Sequence, residues 1–265
     1  MSDEYSARTM KARSALPLLL SLVGFHPAFA QGSAGSSGTL EPTVLVDCPT
    51  AGMLDKGSLQ ICTDFYQDGG VEFGAAYGIL DRISLGLSYG GAYLIGSQTP
   101  VMYPAPGVNV KLRIIEESPI IPALAVGFDT QGHDGYLKDL DRFAVKSPGL
   151  YASLSKNYSF LGYLSFHGGT NYSFERSDGD TDLNYFCGAE KTIGPFLSAV
   201  VEYDFAINDN DSTALGHGRG YLNAGLRCSL GGGLTISMSF KDLTRNSKLD
   251  TPPRRTFQIE YSRAL

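Results

Sequence analysis

The sequence of 265 residues contains no tryptophan, and only 18% of its residues are charged. It also lacks the run of roughly 20 apolar residues that a membrane-spanning helix needs, which excludes a protein built of such helices. Its formal net charge of −6 argues against a nucleic-acid partner. In their place the chain has 32 glycines, 15 tyrosines and 14 phenylalanines, with a mean hydropathy of −0.06. Apolar stripes averaged with polar ones give such a composition, as in a membrane β-barrel.

The first 57 residues are predicted to serve export and to link to the folded part. Basic residues precede an apolar run that ends in Ala-Phe-Ala, so we expect a cleaved signal peptide over residues 1–30, with Met10 as an alternative start. The mature protein is expected to begin near Gln31 and to be exported to the bacterial outer membrane. Residues 31–57 begin with a Gly/Ser/Ala stretch and are predicted to be a linker and lead-in segment. A small plug inside a barrel is the alternative for the second part of this segment.

Apolar and polar residues alternate with a period of two from residue 58 onwards. In the ninth segment Leu197, Ala199 and Val201 share one face, opposite Ser198 and Glu202. The pattern predicts strands of about ten residues, long enough to cross a bilayer when tilted. Twelve are predicted, with ten to fourteen allowed, at residues 58–66, 71–80, 82–94, 107–117, 120–129, 148–157, 161–174, 183–192, 196–207, 221–230, 234–243 and 256–263.

The connections between these strands alternate in length. Minimal turns at Asp81, Ser118-Pro119 and Gly231-Gly232-Gly233 separate longer polar connections, such as residues 130–147 and 208–220. A single up-and-down antiparallel transmembrane β-barrel over residues 58–265, with short periplasmic turns and long extracellular loops, has this wiring. A secreted β-sandwich also alternates, but its Greek-key connections have no reason to place every long loop at one end.

Several short motifs resemble the start of bacterial outer-membrane barrels associated with exopolysaccharide production. They are Cys48-Pro49-Thr50-Ala51, Lys56-Gly57-Ser58-Leu59, Val71-Glu72-Phe73-Gly74 and Tyr77-Gly78-Ile79-Leu80-Asp81-Arg82-Ile83-Ser84-Leu85-Gly86. The resemblance implies no catalytic residues and no cofactor. Expected partners are outer-membrane lipid, lipopolysaccharide, the barrel-assembly machinery and a small solute or polysaccharide. The expected function is a passive channel or an envelope component linked to exopolysaccharide, and the alternative is a structural barrel whose loops contact lipopolysaccharide or a partner.

The remaining functional signal is the set of polar side chains predicted to line the lumen. A mixture of both charges can either line a pore or cross-link it shut. We expect Lys111 and Arg113 to meet the carboxylates of Glu202 and Asp204. Loss of Arg113 should then destabilise a plugged barrel or alter the ion selectivity of an open one. The candidates for lumen-lining residues are Glu72, Lys111, Arg113, His167, Glu202, Asp204, Arg227 and Glu260, with Asp64 and Lys241 on the same face.

Other reactive groups suggest little chemistry. No His-x-Ser pair of a lipid-hydrolysing barrel is present, so we expect no enzyme, and His167 is interpreted as a hydrogen-bonding lumen residue. The acidic clusters 178–182 and 208–211 are interpreted as solvated loops rather than metal sites. Arg254-Arg255 is interpreted as a solvated pair or a phosphate contact. Of the four cysteines, only Cys48 and Cys62 are candidates for a disulfide.

Overall fold

The computed structural model describes residues 41–249 and 253–265, together with the backbone of His26 and Pro27, which pairs with Tyr158 and Ser159. Apart from that backbone pair, the expected signal peptide and residues 31–40 of the expected linker lie outside the described residues.

Twelve strands form the fold, as the alternation predicts. Each pairs antiparallel with the next, and the last pairs with the first in the register Phe257–Phe65 to Ala264–Ser58, so the sheet closes into a barrel. The strands are β1 (Ser58–Tyr66), β2 (Gly70–Leu80), β3 (Ile83–Ala92), β4 (Gly107–Ile115), β5 (Ala123–Asp129), β6 (Gly149–Ser159), β7 (Tyr163–Tyr172), β8 (Asn184–Ile193), β9 (Leu197–Asp204), β10 (Tyr221–Gly231), β11 (Leu234–Lys241) and β12 (Arg254–Ala264).

The two ends of the barrel differ in their connections. At what we call the turn end, the reversal from β10 to β11 uses Gly231, Gly232 and Gly233 at φ +84°, +61° and +87°, values that favour glycine. At the opposite loop end, β9 ends at Asp204 rather than at the predicted residue 207. There Ala206 has φ +49°, and Ile207–Asp209 form a 3-10 turn. The short strand Val101–Met102 pairs with β3.

The outer face of the barrel is apolar and its inner face is polar. Phe73 and Leu87 are 57% and 62% exposed, while the inward Ser198 and Glu202 are fully buried. An apolar belt around a closed sheet suits hydrocarbon, because every backbone group is satisfied within the sheet. This is the architecture of an outer-membrane-type barrel. Within the described residues, no helix is long and apolar enough to span a membrane.

Residues 41–57, which we call the plug, lie inside the barrel. They form a narrow hairpin in which Val44 bridges Pro49 and the N–H of Leu45 donates to the carbonyl of Cys48. Its base is fixed at the turn end, where the N–H of Gly57 donates to Gly78. The segment therefore occupies the lumen, as in the plug alternative, before it leads into β1. The physical reason is that inward charged side chains of several strands bind the plug backbone.

Three long connections cover the loop end and are called the lid: residues 130–148, 173–183 and 205–220. The first contains a hairpin of two short strands, His133–Leu137 and Arg142–Val145. Phe143 of this hairpin packs edge-to-face on Tyr103 with ring centroids 4.9 Å apart, in a buried cluster with Tyr66 and Ala92. The lid thus rests on the rim of β1 and β3.

Candidate functional site in the barrel lumen

Glu202 of β9 fixes the tip of the plug. Its fully buried carboxylate accepts hydrogen bonds from the backbone N–H groups of Val46, Asp47 and Cys48 at 2.9, 3.0 and 2.8 Å. The side-chain amide of Asn223 donates a further bond of 2.9 Å. Hydrogen bonds to an ionised acceptor are stronger than neutral ones. One acidic side chain therefore satisfies three consecutive donors of the plug.

Three cations of the opposite wall and of β10 bind the carbonyl groups of the plug. The ammonium of Lys111 donates to Thr43 at 2.7 Å and to two further carbonyls at 3.2 and 3.3 Å. Arg113 donates to the carbonyl of Ala51 at 2.6 Å and forms an ion pair with Glu41. Arg227 donates to Val44 at 2.6 Å and pairs with Glu190 at 3.0 Å.

These contacts overturn one expectation about the lumen. Lys111 and Arg113 do not meet Glu202 and Asp204, because the plug lies between the two walls and its backbone binds Lys111 and Arg113 on one side and Glu202 on the other. Asp204 instead accepts a bond of 2.7 Å from the side-chain amide of Asn184 and one from the N–H of Ala206.

His167 of β7 lies behind the plug. Its Nδ1 is 2.7 Å from the hydroxyl of Ser155, which itself accepts a 2.9 Å bond from the N–H of Ala51. The imidazole thereby orients a hydroxyl that holds the plug backbone. This contact matches the hydrogen-bonding interpretation of His167 more closely than a catalytic one.

The rest of the lumen is a cavity of about 320 Å³ along β1, β2, β3, β11 and β12. It extends from Gly231–Gly233 at the turn end to His133 and Asp134 beneath the lid. Small or neutral polar side chains line much of its wall, among them Gln60, Ala76, Ser84, Ser88, Thr235, Ser237, Ser239 and Gln258.

Glu72 and Glu260, the remaining lumen candidates, both line this cavity, together with Asp64 and Asp129. Asp64 and Glu72 stand directly opposite each other on β1 and β2. In the part of the chain that the structure describes, none of these four carboxylates has a lysine or arginine within 4 Å. Lys111, Arg227 and Lys241 also line the cavity, but they are bound to the plug, so the charges of the cavity that lack an oppositely charged partner are acidic.

The lid is held by buried ion pairs that the sequence analysis missed. Arg142 is fully buried, and its Nη1 lies 2.5 Å from Asp178 and 2.7 Å from Asp209. Lys146 adds a second cation 2.9 Å from Asp178. Asp180 accepts a 2.9 Å bond from the N–H of residue 210. Asp182 and Asp211 are exposed, but the interpretation of these acidic clusters as solvated loops was wrong for Asp178, Asp180 and Asp209, which are buried. Their partners lie too far away in sequence to be recognised from local patterns.

Plug and lid meet at Asp47, at the tip of the plug. Its Oδ1 is 2.6 Å from the ammonium of Lys241 and 3.6 Å from Nδ1 of His133. Lys241 also lies 3.7 Å from Asp134, which pairs with Arg254 at 2.6 Å. Arg254 is buried, so the expectation of a solvated pair at residues 254 and 255 was wrong for the first of them.

Burial and the charge of Lys241 lower the pKa of His133, but the carboxylates of Asp47, Glu72 and Asp134 together outweigh them, so the pKa is raised. Burial pushes the pKa of Asp47 up, while Lys241 and then His133 push it down, and the pKa is lowered overall. The charged forms of both groups are thus favoured where plug and lid touch.

All four cysteines are free thiols, so Cys48 and Cys62 are not bonded to each other. Cys48 is buried on the plug, and Cys62 faces the cavity. Cys187 on β8 and Cys228 on β10 point outward, because each directly follows an inward residue, Phe186 and Arg227 respectively.

The chain matches no protein-family model. It matches no curated protein. Among solved structures it is similar to one described as the KdgM porin, with a TM-score of 0.47 and 8% identity over 78% of this chain and 99% of that chain. It is also similar to the outer membrane protein Omp33 of Acinetobacter baumannii, with a TM-score of 0.42 and 8% identity over 78% of this chain and 97% of that chain. Both likenesses concern the shape of the barrel alone.

Proposed function

We propose that this protein is a passive channel of the bacterial outer membrane, through which small hydrophilic solutes cross along the side of the lumen that the plug leaves free. Barrels of this kind place short turns in the periplasm and long loops outside the cell. In that orientation the plug enters from the periplasm and the lid faces the exterior. Lipid surrounds the apolar belt, lipopolysaccharide contacts the loops, and the barrel-assembly machinery inserts the chain.

The observation that carries this proposal is the cavity beside the plug. A barrel meant only to be rigid gains stability by filling its interior, since unfilled space forfeits packing contacts. Here about 320 Å³ stays unfilled from the turn end to the lid. The wall of hydroxyl, amide and carboxylate groups can replace the hydration shell of a polar solute.

The chemistry of the wall also suggests a solute class. Serine, threonine and glutamine side chains both donate and accept hydrogen bonds, which suits polyhydroxyl molecules such as sugars. A link to exopolysaccharide is the finer form of the proposal, and its support is the resemblance of the motifs between residues 48 and 86.

The test measures conductance before and after chemical modification of Cys62, the natural thiol that lines the cavity. Purified protein in planar bilayers should give small conductance steps, and a charged, water-soluble methanethiosulfonate should reduce them by modifying Cys62, which lines the cavity. Cys62→Ser should conduct but lose this sensitivity. An absence of steps, together with an unreactive Cys62 in the folded barrel, would rule out the channel.

A non-conducting structural barrel is the second candidate, and the ion pairs of the lid favour it. Arg142, Asp178 and Asp209 fasten three loops to one another with fully buried charges. Such a rigid outer surface suits contact with lipopolysaccharide or a partner protein. This function would be supported if the purified protein gave no conductance steps in the bilayer and bound lipopolysaccharide through its loops.

A further inference from the structure

We infer that the plug is a gate that can leave the lumen while the barrel stays intact, and that the ion pair between Asp47 and Lys241 is the latch that couples it to the lid. This inference rests on the proposed channel function and deepens it by naming its regulation.

The first argument is the kind of contact that holds the plug. Most of its bonds run from wall side chains to its backbone, as with Glu202, Lys111 and Arg227. Water can take over such bonds in a wet lumen, so the net cost of breaking each is well below its full strength. The barrel wall, by contrast, is a closed ladder of backbone pairs in which the plug takes no strand position. Removing the plug therefore breaks no ladder of the barrel.

The second argument is the route by which the plug can leave. Both ends of the hairpin lie at the turn end. Gly57 bonds to Gly78 and to the N–H of Leu265 there, and Glu41 at the other end pairs with Arg113, which also pairs with Glu116 just beyond the last residue of β4. Its tip points to the loop end, where Asp47 meets Lys241 and His133. A hairpin held this way can withdraw only towards the turn end. The lid blocks movement in the other direction.

The third argument is the position of the latch. Lys241 lies between a carboxylate of the plug and Asp134 of the lid, at 2.6 and 3.7 Å. Both of these carboxylates are more than nine-tenths buried. Loss of either partner of a buried ion pair leaves the other charge uncompensated. The tip of the plug and the lid thus share one cation, so displacing either carboxylate changes the electrostatic environment of the other.

The chain carries its own reporter for this movement. Cys48 is adjacent to Asp47 and buried while the plug is seated. Burial, and then the charge of Glu202, raise the pKa of its thiol well above the ordinary value, so the seated thiol is unreactive. In a Cys62→Ser background Cys48 is the remaining thiol on the lumen side among the described residues, because Cys187 and Cys228 occupy outward positions.

The experiment measures the rate at which a charged methanethiosulfonate modifies Cys48 in folded protein. Asp47→Asn should raise this rate about tenfold, because it removes the negative charge that pairs with Lys241. Lys241→Gln breaks the same pair from the wall and should have a similar effect. Asp139→Asn, the same chemical change at an exposed position of the lid hairpin, is the matched control and should leave the rate unchanged. Heat-modifiable gel migration verifies that each barrel is folded.

The outcomes separate the gate from the channel. Equal labelling rates in all variants, with conductance in the wild type, would overturn the latch and leave the channel. Faster labelling in both latch variants, with no conductance in any of them, would support a displaceable plug and overturn the channel. If both are right, Asp47→Asn raises the labelling rate and the fraction of time spent conducting together.

Discussion

The two sides of the lumen show how one barrel wall can either hold a segment or leave a passage. On the plug side, long charged side chains such as Lys111, Arg113, Glu202 and Arg227 reach inward and end on the plug backbone. On the free side many inward residues are short or neutral, as at Ala76, and the carboxylates of Asp64, Glu72, Asp129 and Glu260 have no lysine or arginine within 4 Å among the described residues.

The difference teaches that the charge of a lumen residue matters less than what satisfies it. Charges that are buried need partners, and the plug supplies them through its carbonyl and N–H groups. The carboxylates of the free side face a cavity that can admit water, so they need none. Charged residues that look alike in sequence therefore hold a plug in one half of the wall and line a path in the other.

Replacing one glutamate on each side of the lumen should have very different effects on stability. Glu202→Ala leaves three backbone N–H groups without their acceptor and should reduce the free energy of unfolding by about 3 kcal/mol, since each orphaned donor costs about 1–3 kcal/mol and water recovers part of it. Glu260→Ala on the free side should change it by at most about 0.5 kcal/mol. Urea unfolding, followed by heat-modifiable gel migration, measures both. Equal losses for the two variants would show that the two sides do not differ.

A smaller effect concerns ion selectivity on the free side. Acidic rings favour cations in a pore, so the wild type should pass cations in preference to anions. Glu72→Gln combined with Asp64→Asn should lower that preference about twofold, and should not reduce stability, because like charges directly opposite each other repel. Reversal potentials in a salt gradient measure the preference. Asp68→Asn, an exposed residue in the loop-end turn between β1 and β2, serves as the control, and an identical shift there would contradict the prediction.

The strands of the barrel could be predicted from sequence because each carries its own signal. Alternation marks the two faces, and Asp81, Ser118-Pro119 and Gly231–Gly233 mark the reversals. The predicted strand ends are wrong where the end of a strand depends on contacts that the local pattern does not show. The ninth segment was extended to Ile207, for example, although Asp204 bonds the N–H of Ala206 and Ala206 adopts a positive φ.

The plug and the lid could not be predicted in the same way. The plug is held mainly through its backbone, which is the same in every sequence, so only Glu41 and Asp47 offered a hint. In the lid, Arg142 and Asp178 are 36 positions apart and Arg142 and Asp209 are 67 apart, so neither pair is visible locally. The lumen residues could be assigned to the inner face, but their partners could not.

A weaker effect is expected from His133, where the tip of the plug meets the lid. His133 has a raised pKa, with Asp47, Lys241, Glu72 and Asp134 as the charged groups around it. Its ion pair with Asp47 should therefore stabilise the seated plug fully below the unfolded value of about 6.5, and the contribution should be lost as the pH rises through the raised folded value. The loss should be about 0.2–1 kcal/mol, the usual range for a partly exposed pair.

Glu175 of the lid adds a background of the same sign, because burial raises its pKa to about 7, and its ionisation between the unfolded and folded values also weakens the folded state. The wild type and His133→Gln are therefore compared from pH 5.5 to 8.5. The quantity measured is the rate of Cys48 modification, divided by the thiolate fraction at each pH, or the midpoint of unfolding. The wild type should loosen with rising pH more than the variant does. Parallel pH profiles would show that His133 takes no part in holding the plug, and would leave Lys241 as the cation that joins plug and lid.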